Sequence, residues 1–110
     1  MTQSKIQELQ NLERNLQMLM GQKQAIQMEI AETENALEEI KNSSSDIYKL
    51  SGTIMLKADK EKTIKELEEK NKLMELRLSS IEKQESILES RAEGLKKETQ
   101  KLAEDKNVGK

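Results

Sequence analysis

Apolar residues recur along the first 41 positions in steps of three and four, the spacing that lays a stripe down one side of a helix and lets two helices zip together. One seven-residue frame accounts for them, with its inner a and d positions held by Leu9, Leu12, Leu16, Leu19, Lys23, Ile26, Ile30, Thr33, Leu37 and Ile40. Only Lys23 and Thr33 interrupt this seam. A second frame starts at Ile64 and continues through Leu67, Asn71, Met74, Leu78, Ile81, Glu85, Leu88, Ala92, Leu95, Thr99 and Leu102, with Asn71, Glu85 and Thr99 as its polar members. The pattern predicts helices over residues 3–41 and 60–105, roughly 58 and 69 Å long at about 1.5 Å per residue.

Between the frames, Asn42-Ser43-Ser44-Ser45-Asp46 stops the first helix, because these short polar side chains bond to nearby backbone and favour turns. The next residues, Ile47 to Lys57, favour strand and are broken by Ser51-Gly52, which predicts a β-hairpin within 46–58 turning at that pair. Asp59 is placed to cap the second helix. Alternation is read as putting Tyr48, Leu50, Ile54 and Leu56 on one hairpin face, with Lys49, Met55 and Lys57 on the other. A lone two-stranded hairpin is marginal in water and leaves both outer edges unpaired. Those four apolar residues are therefore expected to pack against another subunit.

Reversal at the hairpin makes the helices antiparallel. The expected fold is mostly α, a long antiparallel two-helix coiled coil connected by a single β-hairpin, one domain over residues 1–110. Aligning Ile40 with Ile64 makes facing positions sum to 104 and gives the layers Leu37/Leu67, Ile30/Met74, Ile26/Leu78, Leu16/Leu88, Leu12/Ala92 and Leu9/Leu95. The same register sets Thr33 opposite Asn71, whereas a shift of one heptad would set Asn71 against Ile40. Thr33 and Asn71 are thus expected to fix the register, as polar core residues do in coiled coils. Lys23 and Glu85 lie about one turn apart across the seam and are within reach of each other.

Composition supports a thin core: 36% of residues are charged, and the single aromatic is Tyr48. Regular spacing and the absence of proline argue against disorder. With no Cys and no His, disulfides, thiolate and imidazole metal ligands and His-based acid/base catalysis are excluded. No enzyme activity, metal or cofactor is expected, since paired carboxylates are too common on charged helices to suggest acid/base chemistry. The net charge of −2 comes from 19 basic and 21 acidic residues mixed along the chain, so no single-sign field attracts a nucleic acid. No apolar run approaches the roughly 20 residues of a membrane span and no leader-like run is seen, so a soluble, cytoplasmic protein is expected.

Some apolar residues fall outside the seam. Ile6, Met18 and Met20 sit there near the termini, where a fraying end and flexible Met side chains would suit varied apolar partners. Ile6 and Met20 remain divided between ordinary exposed residues and a binding surface. Leu73, Leu76 and Ile87 have no decisive role; contact with a neighbouring subunit is one option.

The order of a helix ending in Leu37-Glu38-Glu39-Ile40, a polar break, the hairpin Asp46-Ile47-Tyr48-Lys49-Leu50-Ser51-Gly52-Thr53-Ile54-Met55-Leu56, then a charged helix with Arg77-Leu78 and Glu82-Lys83-Gln84-Glu85 resembles the beta-type subunit of prefoldin. The hairpin is the specific part, since the heptads alone would fit many unrelated coiled coils. The resemblance covers nearly the whole chain, and its single hairpin suits the beta type. It implies a hexamer of two alpha-type and four beta-type subunits whose hairpins join into β-barrels. It also implies an ATP-independent holdase whose coiled-coil tips capture unfolded polypeptides and pass them to a group II chaperonin. Transferred here, assembly falls to Tyr48, Leu50, Ile54 and Leu56, and client contact to Ile6, Leu9, Leu12, Met20, Leu95 and Leu102. The competing reading is a structural or tethering coiled coil without chaperone activity. A basic zipper is disfavoured because no basic run precedes the heptads.

Overall fold

A computed structural model describes the backbone of residues 2–108 and the side chains of residues 3–101. The elements follow as α1 (Thr2–Asn42), β1 (Ile47–Ser51), β2 (Ile54–Ala58) and α2 (Lys60–Val108). The fold is the expected one, two long helices paired antiparallel and joined by a single hairpin. It divides into two units: Ala25–Leu78, which contains the hairpin, and a terminal unit formed by the chain before and after that stretch.

Helix ends follow local chemistry. After Asn42 the Ser43 N–H bonds to the Ile40 carbonyl at 3.3 Å, a tightened last turn, and the Ser45 N–H donates to the Ser43 hydroxyl at 3.2 Å. The Lys60 ammonium donates to the Ser43 carbonyl, tying the start of α2 to the end of α1. Asp59 caps α2, its carboxylate accepting from the Glu61 N–H at 3.1 Å. These side chains satisfy backbone groups that a helix end leaves without partners.

In the hairpin unit the seam is formed by buried Thr33, Leu37 and Met74 with half-buried Ile26, Ile30, Ile40, Ile64, Leu67, Asn71 and Leu78. In the terminal unit it is formed by buried Leu12, Ile81, Glu85 and Ala92 with half-buried Leu9, Leu16, Leu19, Lys23, Leu88, Leu95 and Thr99. Among the described residues no large side chain is wholly shielded, because a two-helix seam covers each one from one side only. Ion pairs flank it, Lys41–Glu68 at 3.2 Å in the hairpin unit and Glu13–Lys96 at 3.6 Å in the terminal unit. Both join e positions, which face each other across an antiparallel seam, at the spacing given by the register summing to 104.

The polar layer takes a different form from a direct pair. Thr33 donates its hydroxyl to the Glu29 carbonyl at 2.8 Å, and the Asn71 Oδ1 is buried without a hydrogen-bond partner among the described residues. A helical threonine that bonds four residues back spends its one hydroxyl donor there, so it has no proton to give the Asn71 Oδ1.

Two hairpin expectations are corrected. The strands pair Ser51 with Ile54 and Leu50 with Met55, so the turn residues are Gly52 and Thr53 rather than Ser51 and Gly52. Gly52 has a φ of 62°, and no non-glycine described residue takes a positive φ, the pattern of a type II′ turn with glycine first. Tyr48 pairs with Lys57 and Lys49 with Leu56, so Tyr48, Leu50, Met55 and Lys57 share one face. Ile54 and Leu56 lie on the other, with Ile47, Lys49 and Ala58. Partners across a two-residue turn have opposite parity, so alternation cannot be counted straight through it.

Candidate functional site

The hairpin concentrates apolar surface that its own chain leaves uncovered. Tyr48, Leu50, Ile54, Met55 and Leu56 are between 54% and 67% exposed, and only Ile47 and Ala58, nearest the helices, are half-buried. Both faces therefore carry large apolar side chains, where the sequence placed all of these but Met55 on one. Among the described residues the sheet has two strands, so each strand has one edge of backbone donors and acceptors without a strand beside it. Lys57 on one face is held by Asp46 at 3.4 Å, and both groups are well exposed.

Below the hairpin, a groove of about 470 Å³ opens beside its first strand. Ile40, Ile47, Ala58 and Leu67 supply the apolar lining, Tyr48 and Thr63 contribute hydroxyls, and Glu39, Glu66 and Lys49 bring charge. Apolar lining with a few convergent polar groups suits the docking of another chain's side chains more than chemistry. Among the described residues no group of His, Cys, Asp and Glu is arranged to hold a metal ion, and no helix is long and apolar enough to cross a membrane.

The residues assigned to client contact separate by burial. Met20 is 52% exposed and Ile6 39%, so both present their side chains to solvent. Leu9 and Leu95 are half-buried, and Leu12 is buried in the seam, where it holds the helices together. Leu102 lies outside the residues whose side chains are described. Lys5 pairs with Glu98 at 3.0 Å, so among the described residues the seam ends at a surface ion pair, an interaction of small value.

Within the terminal unit the seam carries one buried charge. Lys23 and Glu85 meet at 3.2 Å, with side chains 32% and 10% exposed. The reach of one helical turn anticipated from their spacing is the geometry found. The sequence reading missed the contrast between the two sides of this unit. One side has a groove walled by Glu13, Glu89, Glu93 and Lys96, and the other has a groove lined by Asn15, Met18, Leu19, Gln22, Gln84 and Leu88, with no charge. The signal was present as residues 15–22, which contain no charged side chain in a chain that is 36% charged.

Comparison with known proteins gives a consistent answer. A family model described as prefoldin subunit matches residues 3–106. The prefoldin subunit beta of Thermococcus onnurineus is 40% identical over 102 residues, covering 91% of this chain and 85% of that protein. The prefoldin subunit beta of Sulfurisphaera tokodaii is 32% identical, covering 91% and 82%. Among solved structures, the crystal structure of the prefoldin beta subunit from Thermococcus strain KS-1 superposes with a TM-score of 0.85 at 33% identity, covering 92% of this chain and 90% of that one.

Proposed function

The chain belongs to the prefoldin family, in its beta-type subunit group, and from that premise we propose that it works as one subunit of an ATP-independent holdase. In this reading its hairpin joins those of alpha-type and further beta-type subunits, two and four in a hexamer. Its helices hold unfolded polypeptides in the cytoplasm for transfer to a group II chaperonin. The carrying observation is the hairpin exposed on both faces, since an apolar strand pair with free edges is completed by strands of other chains. Burying five such side chains would contribute on the order of 1.5–3 kcal/mol each, enough to drive association.

The test assembles the chain with an alpha-type subunit, measures the mass of the complex, and follows aggregation of a denatured test protein by light scattering. A hexameric mass with suppression near stoichiometric amounts is expected without nucleotide. An intact complex that leaves aggregation unchanged would refute the holdase and favour a tethering coiled coil.

A further inference from the structure

We propose that the hairpin face of Ile47, Lys49, Ile54, Leu56 and Ala58 takes a strand of a chain other than a second copy, one that brings a carboxylate to Lys49. This rests on the hairpin assembly proposed above and names what the covering chain must carry.

Lys49 is the middle residue of β1 and pairs with Leu56 across the sheet. Exposed Ile54 and Leu56 share its face, so its ammonium rises from apolar surface. The two lysines of the hairpin differ in what their own chain gives them. Lys57, on the other face, has Asp46 at 3.4 Å. Lys49 makes no ion pair among the described residues, although Glu39 and Glu66 line the groove beside it.

Covering this face draws the Lys49 ammonium out of water. An ammonium buried alone opposes association, whereas one met by a carboxylate is compensated. A strand added to the outer side of β1 sets its own side chains beside Lys49, with Leu56 on the other flank. Opposite charges side by side across strands stabilise a sheet, and like charges there destabilise it. A second copy brings the wrong sign. Residues 47–58 contain Lys49 and Lys57 and no acidic residue, so its hairpin sets positive charge against positive charge. Its neighbouring acid, Asp46, already holds Lys57. The chain that completes this face is therefore a different one, with Asp or Glu in the strand that lies along β1.

The test assembles the full chain with an alpha-type subunit and treats the complex with a water-soluble carbodiimide. This reagent joins an amine to a carboxylate in direct contact as an amide and takes up the water lost as a urea. Mass spectrometry of the digested complex should show Lys49 joined to an Asp or Glu of the alpha-type chain. Lys49→Met should raise the alpha-type concentration needed for half assembly roughly tenfold or more, as loss of one member of a buried pair does, and Lys49→Arg should restore it. Lys49→Glu should weaken assembly further. Lys49 joined only to Glu39, Glu66 or Asp46, or to no carboxylate, would overturn the assignment. Lys49→Met assembling as well as wild type would also overturn it, since the ammonium then reaches water unaided. Wild-type chains that assemble as readily alone as with the alpha-type subunit would move the occupant to a second copy and overturn it too. A wild-type chain that forms no complex with the alpha-type subunit would refute the assembly reading itself.

Discussion

Replacing Lys23 with Leu should destabilise the terminal unit far more than replacing Glu85 with Leu, although the two side chains form one ion pair at 3.2 Å. The reason is their unequal exposure, 32% for Lys23 and 10% for Glu85. Lysine left alone can run its stem along the seam and put its ammonium in water. Glutamate has a shorter reach and stays in the seam as an unpartnered charge. Removing one member of a fully buried pair costs about 3–5 kcal/mol, and the residual access of Glu85 reduces this to about 2 kcal/mol for Lys23→Leu. Glu85→Leu leaves a lysine that can escape and adds apolar seam worth about 1 kcal/mol, so it should be neutral or slightly stabilising. The double variant Lys23→Leu/Glu85→Leu completes the apolar layers and should exceed wild type by about 1–3 kcal/mol. For a chain of this length 1 kcal/mol moves Tm by roughly 4–8 °C, so the extremes should separate by more than about 10 °C. Helix melting by circular dichroism would be read at fixed protein concentration, since association changes apparent stability. Lys23→Leu melting at or above wild type, or a double variant no more stable than wild type, would refute the reasoning.

Other expectations follow from single features. Leu16→Cys with Leu88→Cys should form an intrachain disulfide on oxidation, seen as faster migration in a non-reducing gel; only intermolecular bridging would contradict the register. Gly52→Val puts a β-branched side chain at a φ of 62° and should destabilise the hairpin by about 1–2 kcal/mol, seen as a lowered assembled fraction in native mass spectrometry of a mixture with an alpha-type subunit. Asp59→Ala removes the acceptor for the Glu61 N–H and should lower stability by about 1 kcal/mol in thermal melts, with Asp59→Asn close to wild type.

The seam was legible in the sequence because a coiled coil buries residues by a local rule, the step of three and four. Every assigned a and d position whose side chain is described is buried or half-buried. The Lys23–Glu85 contact was legible for the same reason. The hairpin faces were not, because pairing across Gly52-Thr53 reverses parity and the faces follow from the pairing rather than from a running count. Thr33 and Asn71 were legible as polar positions in the seam, whereas the bond that the Thr33 hydroxyl makes to the Glu29 carbonyl of its own helix was not. The uncharged groove needed both helices in register before Gln84 could be seen beside Asn15, Met18 and Gln22.

The two-faced hairpin makes solubility a question of stoichiometry. One lysine per face, Lys57 and Lys49, is the only charge among Tyr48, Leu50, Met55, Ile54 and Leu56. A copy without partners keeps those side chains in water and offers two strand edges to whatever it meets first, including another stray copy. A stronger coiled coil would not help such a copy, since the hazard lies outside the seam. Whatever covers both faces and both edges of the hairpin therefore sets how far a copy stays clear of its neighbours.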